Sequence, residues 1–299
     1  MKKIYDTIIV GGGLVGAAVA CGIAAKGGSV AIIDGGDRDF RASRGNFGLV
    51  WVQGKGAEFA PYAHWSWRAA QAWPGFEQLL RETTGVDIEL RQDGGYDFCM
   101  NQQEWDARAE EMRLVRQHGN GRFDYQMLDN ADLKQRMPLI SDAVLGASYS
   151  PHDGHLNPLL LLRALHQRMQ GLGCDYIPEQ RVSATRAHGR SFDVTVAHQK
   201  YQAKQLVLCA GLENRRLASD LSMHIPLHPV RGQLLISERL DKFMPCASLQ
   251  LRQTGDGTLQ IGDSHEHVGM DESATLEVIT RLAARAVRIF PHLTGVQLV

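Results

Sequence analysis

Cysteine is sparse in this chain. Cys21, Cys99, Cys174, Cys209 and Cys246 are the five among 299 residues, and no two form a C-x-x-C pair. An odd, dispersed set lacks the spacing of a disulfide framework or a zinc site and fits a reducing compartment. No apolar run approaches the ~20 residues needed to span a bilayer. Neither sign of charge is in excess. The 32 Lys and Arg against 33 Asp and Glu leave a net charge of −1, so no global field draws the chain to nucleic acid or anionic lipid. A G-x-S-x-G nucleophile turn is absent, as are internal repeats and low-complexity linkers. Lys2 and Lys3 ahead of apolar residues imitate the start of a secretory signal. Asp6 and the glycines Gly11 to Gly13 interrupt that run, and no small-x-small cleavage site follows. The expectation is a soluble, cytoplasmic protein with no transmembrane segment.

What is present belongs to an ordinary globular chain, 44% hydrophobic and 22% charged. The length suits one large or two modest domains with a sizeable core. Ile4 to Val10 is rich in β-branched residues and reads as a buried parallel strand. Gly11, Gly13 and Gly16 then spell G-x-G-x-x-G. Leu14 to Lys26 reads as a helix ending at Gly27 and Gly28, and Ser29 to Ile33 as a second strand with Asp34 at its end. Gly11 permits the tight turn, Gly13 lets backbone approach a pyrophosphate, and Gly16 allows close helix–strand packing. Leu14 and Val15 open the helix, whose free N–H groups and partial positive charge favour phosphate. Asp34, about twenty residues on, suits a ribose 2′-hydroxyl. It would repel the 2′-phosphate of NADP, but it leaves NAD and FAD both open.

Arg41 to Gly56 reads RASRGNFGLVWVQGKG, too rich in glycine and basic residues for a plain helix. Here the chain resembles the D-amino-acid-oxidase-like FAD enzymes. These include glycine oxidase, D-amino acid dehydrogenases and the flavin subunits of opine and hydroxyproline dehydrogenases. GGGLVGAA at Gly11 to Ala18 resembles that family's fingerprint, and Ser43 to Gly48 resembles its flavin-facing loop. The resemblance implies FAD, with Ser43, Arg44, Asn46 and Gly48 as cofactor contacts. It also implies that the Val182 backbone meets adenine and that Ala210 and Gly211 sit where a larger side chain would block the flavin nucleotide.

The implied fold is α/β: a Rossmann-like FAD-binding domain (1–88 and 148–223) with a second, mainly antiparallel α+β substrate domain (89–147 and 224–299). In the first, Asn157-Pro158 precedes a helix over Leu159 to Met169, and Cys174 to Ile177 is a strand. Val182 to Arg186, Phe192 to Ala197 and Tyr201 to Ala203 form a meander ahead of a separate strand over Gln205 to Cys209. In the second, Glu89 to Met100 alternates around Gly94-Gly95 and reads as strand or hairpin, and Pro229 to Glu238, Leu249 to Arg252 and Thr258 to Gly262 read as strands. Gln102 to His118, Asn130 to Met137 and Ala274 to Phe290 read as helices. Pro229, Arg231, Gly232 and Gln233 resemble the family's P-x-x-G-Q strand.

Other features carry less. His265 and His267 would share a strand face, but no third ligand stands nearby, and His152 and His155 are discounted likewise, so no metal is expected. Trp65, Trp67 and Trp73 have near-helical spacing and read as packing. In the resembled family a later segment carries the arginine for the substrate carboxylate. The sequence stops at Val299, about a fifth short of the expected length, so a C-terminal truncation is expected. Arg231 and Arg252 are candidate substitutes without motif context, and no catalytic side chain is assigned. The function expected from the resemblance is oxidation of the C–N bond of a D-amino acid, glycine, a proline-type amine or an opine by hydride transfer to flavin N5. Heteromeric electron-transfer partners are conceivable on the same ground. Two other readings share the fingerprint: a truncated, inactive flavoprotein remnant or subunit, and an NAD-dependent dehydrogenase. If the substrate amine reacts in its neutral form, no side-chain base is needed. The rate of substrate oxidation should then rise with pH through the substrate-amine ionisation. Stopped-flow reduction at several pH values checks this, and a flat profile with chemistry rate-limiting contradicts it.

Overall fold

The computed structural model describes residues 4–36, 42–262 and 264–299. Lys2, Lys3 and Arg41, which carried the signal-like start and the first position of the basic loop, lie outside the described residues. In chain order the elements begin with β1 (Ile4–Val10), α1 (Leu14–Ala24), β2 (Val30–Ile33), β3 (Leu49–Val50), α2 (Ala60–Thr84) and β4 (Gly95–Cys99). Next come α3 (Gln102–His118), β5 (Gln126–Asp129), α4 (Asn130–Arg136), β6 (Gly146–Ser150), β7 (Gly154–His155) and α5 (Pro158–Gly171). They continue with β8 (Asp175–Ile177), β9 (Val182–His188), β10 (Ser191–Val196), β11 (Gln199–Leu208) and α6 (Asn214–Ser219). The last are β12 (Leu235–Arg239), β13 (Ala247–Ser248), β14 (Leu251–Gln253), β15 (Thr258–Ile261) and α7 (Leu276–Ile289).

The chain divides into two compact units. One takes the chain up to Asn46, Leu79–Ile88 and Pro158–Pro229, and the other takes Phe47–Gln78, Glu89–Asn157 and Val230–Val299. This division differs from the sequence reading at three stretches, residues 47–78, 148–157 and 224–229, the last of which cluster with the first unit. Residues 47–78 cluster with the second unit because β3 pairs with β7, and because Gln53 donates to the Gly95 carbonyl and accepts from Ser148 Oγ. Residues 148–157 join it because β6 ends at Ser150 within the sheet of β4 and β5.

The first unit is built on a six-stranded sheet in the order β8-β2-β1-β11-β10-β9. β8, β2, β1 and β11 run parallel, β10 is antiparallel to β11, and β9 is antiparallel to β10. A strand buried on both faces must be apolar throughout, and Ile8, Ile9, Ile32 and Ile33 are each 0% exposed. Burial of such side chains contributes roughly 1.5–3 kcal/mol apiece. Ile8, Val10, Ala31 and Ile33 pack with Val182, Val194, Val196 and Leu217 on one face. Alternation leaves Ile9 and Ile32 for the other. The sequence reading divided residues 201–209 into two strands. They form one that runs to Leu208, because the intervening Lys204 points to solvent, where it pairs with Asp6 at 2.8 Å.

The second unit holds a four-stranded sheet (β13-β4-β6-β5), a three-stranded sheet (β12-β15-β14) and the β3-β7 pair. All pairings are antiparallel except β13 with β4. Its core joins Tyr96, Phe98, Leu128, Leu133, Leu251 and Leu259 to Val278, Leu282, Ala286 and Ile289, the stripe along α7. α3 opens on a reciprocal cap: Asn101 Oδ1 accepts from the Glu104 N–H and Glu104 Oε2 from the Met100 N–H. Two strand expectations shorten. Between Glu89, φ +57°, and Gly94, φ +100°, Arg91 pairs as an isolated bridge to His155, and β4 begins at Gly95. Of Pro229 to Glu238, only the part from Leu235 joins a sheet, while Arg231 makes an isolated bridge to Glu266. Packing does not account for Trp65, which is 72% exposed on α2.

Polar groups are buried in this unit in quantity. Asp153 is 0% exposed. Its Oδ1 accepts from the Val52 N–H at 2.5 Å and its Oδ2 from Gln53 Nε2 at 2.6 Å. Burial outweighs these donors and pushes the carboxyl up to about 7. In the unfolded chain the group ionises near 4, so folding takes up a proton between those values. The stability Asp153 contributes is therefore complete below about pH 4 and lost as pH rises through about 7, an effect on the order of a few kcal/mol. Asp153→Asn keeps an acceptor for Val52 and should flatten the pH dependence of the denaturation midpoint over that interval. An unchanged slope contradicts the assignment.

Candidate functional site

The fingerprint bend lies at the end of β1, in the first unit. Gly11 has φ +102°, and a Cβ there would overlap the Cys209 carbonyl. A Cβ on Gly16 would overlap the Gly11 carbonyl oxygen, and one on Gly13 would fall 2.6 Å from Ser43 Oγ. β11 arrives through the Cys209 N–H to the Val10 carbonyl at 2.7 Å, and β2 through the Gly11 N–H to the Ile33 carbonyl at 2.8 Å. The bend is thus wedged between the ends of its two neighbouring strands, which leaves no room for side chains.

α1 opens directly from this bend. Gly13 is its N-cap with extended backbone and no side-chain cap. The Leu14 N–H donates to Ser43 Oγ at 3.0 Å. The N–H groups of Gly13, Val15 and Gly16 have no acceptor among the described residues, as a helix N-terminus provides. Asp34, 3% exposed, accepts from the Gly12 N–H at 2.5 Å and from the Gly36 N–H at 2.9 Å.

A cleft of about 440 Å³ adjoins the bend, within the ~300–1,000 Å³ of small-molecule sites. Of the residues expected from the sequence, Gly13, Asp34, Ser43 and Arg44 line it. Leu14, Val15 and Gly16 open α1 and are not among the residues that line the cleft. Asn46 supports the loop by donating Nδ2 to the Ser43 carbonyl at 3.2 Å. Val182 lies at the start of β9 with its carbonyl accepting from Arg216 at 2.8 Å. Ala210 donates its N–H to Asn214 Oδ1 at 2.8 Å, and Gly211 takes φ +59° with open space where a Cβ would stand. Gly48, φ +76°, belongs to the second unit, where its carbonyl accepts from the Leu156 N–H at 2.8 Å.

The opposite wall was not anticipated. Leu159, Leu162, Arg163, His166, Gln167 and Gln170 line the cleft from α5, joined by Tyr176 of β8. Their spacing of three and four is one helical face. That signal is present in the sequence, but only the pairing of β8 beside β2 reveals what the face looks onto.

The second unit commits the arginines considered for a carboxylate. Arg231 pairs with Glu266 and Asp271, each at 2.8 Å. Arg252, 1% exposed, donates to His155 Nδ1 at 3.1 Å and to Gln260 at 2.8 Å. Burial, then the charges of Arg252, Arg91 and Lys242, bring His155 down to about 4. Glu266, between the two histidines considered for a metal, also accepts from Gln233 at 2.7 Å. His152 Nε2 is buried without a partner among the described residues. No helix among the described residues is long and apolar enough to cross a membrane.

The closeness of the bend gives a direct test. Gly16→Ala forces a methyl group against the Gly11 carbonyl and should cost about 1–3 kcal/mol, read as a lowered denaturant midpoint. Full retention of stability would show that the packing is looser than described.

Comparison with known proteins places this geometry. The chain is 38% identical over 295 residues to an opine oxidase subunit of Agrobacterium tumefaciens, covering 98% of this chain and 80% of that one. It is 39% identical over 290 residues to the opine oxidase subunit of the same designation from Rhizobium meliloti, covering 97% and 78%. Among solved structures, glycine oxidase from Bacillus cereus superimposes with a TM-score of 0.87 at 24% identity, over 99% of this chain and 80% of that one. A family profile described as DAO, FAD dependent oxidoreductase, matches residues 6–298. The flavin replaces the nicotinamide reading that the fingerprint alone left open. The chain belongs to the DAO family of FAD-dependent oxidoreductases.

Proposed function

We propose that this chain oxidises the C–N bond of an opine-type secondary amino acid, as the flavin-carrying subunit of a heteromeric oxidase. The observation that carries the cofactor half of this reading is the bend itself, where N–H groups without an acceptor among the described residues stand beside a buried carboxylate at the end of β2. A diphosphate needs donors and positive potential, which Gly13, Val15 and Gly16 and the α1 N-terminus supply. Arg44 and Arg163 at the cleft add positive charge. A ribose diol needs an acceptor, which Asp34 supplies. The residues present fit the adenosine diphosphate half of FAD. Bound FAD would supply the two-electron acceptor for amine oxidation. The chain's own part is to hold the diphosphate in place through backbone amides and to keep the ribose oriented through Asp34. The substrate class and the need for a partner chain are supported by the two opine oxidase relatives.

Purified protein should be yellow with a flavin spectrum. Opines, more than glycine or simple D-amino acids, should bleach it under anaerobic conditions, alone or with the partner chain added. Asp34→Ala removes charge-assisted hydrogen bonds of ~1.5–3 kcal/mol, so FAD should bind about ten- to a hundredfold more weakly. A colourless protein that FAD cannot reconstitute overturns the cofactor assignment. A flavoprotein bleached by glycine but by no opine overturns the substrate class.

A further inference from the structure

Three consecutive glycines, Gly11 to Gly13, form the bend. Glycine has more backbone freedom than any other residue, so a fixed arrangement of these peptides has to be imposed from outside. Asp34 holds the N–H side of Gly12 at 2.5 Å. The carbonyl side is held by a group outside the fingerprint: His166 Nε2 lies 2.7 Å from the Gly12 oxygen. A carbonyl only accepts, so Nε2 carries the proton. The imidazole is itself braced edge-on by Tyr176, with ring centroids 5.0 Å apart at 78°. Tyr176 also fills the space beside Gly12, where a Cβ would come within 3.0 Å of its ring.

The consequence follows from peptide geometry. No peptide bond is cis among the described residues, so the Gly12 carbonyl and the Gly13 N–H lie in one plane and point in opposite directions within it. Drawing that oxygen toward α5 turns the Gly13 N–H away from α5, and this N–H has no acceptor among the described residues. Resting on the FAD reading above, we propose that His166 is a positioning residue for the cofactor: its bond to Gly12 fixes the Gly13 amide in the orientation that receives the diphosphate. Without it, the glycine peptide must be ordered at the moment of binding, and affinity falls.

The test compares His166→Ala with His166→Gln, whose side-chain amide can donate from nearly the place of Nε2. The FAD dissociation constant is read from flavin fluorescence on dilution of the holoprotein, with the thermal midpoint of the flavin-free chain measured beside it. His166→Ala should raise the dissociation constant about tenfold, the worth of one hydrogen bond. His166→Gln should restore it to within about threefold, and the flavin-free midpoints should agree. Wild-type affinity in His166→Ala overturns the proposal. So does weakened binding in both variants with a matching fall in the flavin-free midpoint, which would mark His166 as packing only. A wild-type chain that binds no FAD overturns the dinucleotide reading itself, and the two failures are thereby distinguished.

Discussion

Everything in the first unit depends on how closely backbone meets backbone at the end of β1. The α-carbon of Gly16 lies against the Gly11 carbonyl, and Gly11 lies against the carbonyl of Cys209. That contact fixes where α1 begins, and so where its first N–H groups stand. It also sets the position of Asp34, because the Gly11 N–H is tied to the last residue of β2. A side chain at these positions would separate the helix from the sheet and move every donor of the bend together. The freedom surrendered by adjacent glycines is offset by contacts from three directions: Asp34, Ser43 and His166.

The half of the site within one βαβ unit was legible because its determinants are local. The spacing of Gly11, Gly13 and Gly16, the apolar strand before them and the acid at the end of the next strand all follow within a few dozen residues. The wall made by α5 and β8 was not legible. Arg163, His166 and Gln170 read as an ordinary polar helix face until Tyr176 is paired beside β2. Gly48 shows the same limit from the other side. It lies close in sequence to Ser43 and Asn46, but its carbonyl accepts from the Leu156 N–H, over a hundred positions away, and it clusters with the other unit. In the second unit, helices with local caps, such as α3 with Asn101 and Glu104, fall where the sequence places them. Strand limits do not, because Arg91 and Arg231 pair only as isolated bridges to His155 and Glu266, partners remote in sequence.

The second unit holds its strands together with polar contacts as well as apolar packing. Asp97 accepts from Gln250 and pairs with Arg108, Asp153 ties the chain near Val52 to β4 and β6 through Gln53, and Arg252 bridges His155 and Gln260. Each group joins segments distant in sequence. Buried pairs of this kind add little net stability over apolar packing, but removing one partner leaves a charge without compensation. They act as constraints on register, holding short strands of two to five residues that apolar contacts alone would let slip.

The central position of β1 bears on how the chain folds as it is made. One of its neighbours, β2, is synthesised within some twenty residues, but the other, β11, is remote: Thr7 bonds to Gln205 across 198 positions. Until the ribosome has delivered that segment, a strand that is apolar from Ile8 to Val10 presents an open edge, the kind of surface on which nascent chains pair with one another. The N-terminal hairpin of strand and helix must therefore wait for most of the polypeptide, and its dependence on chaperones should be set by the delay between residue 10 and residue 208 rather than by the stability of the finished sheet.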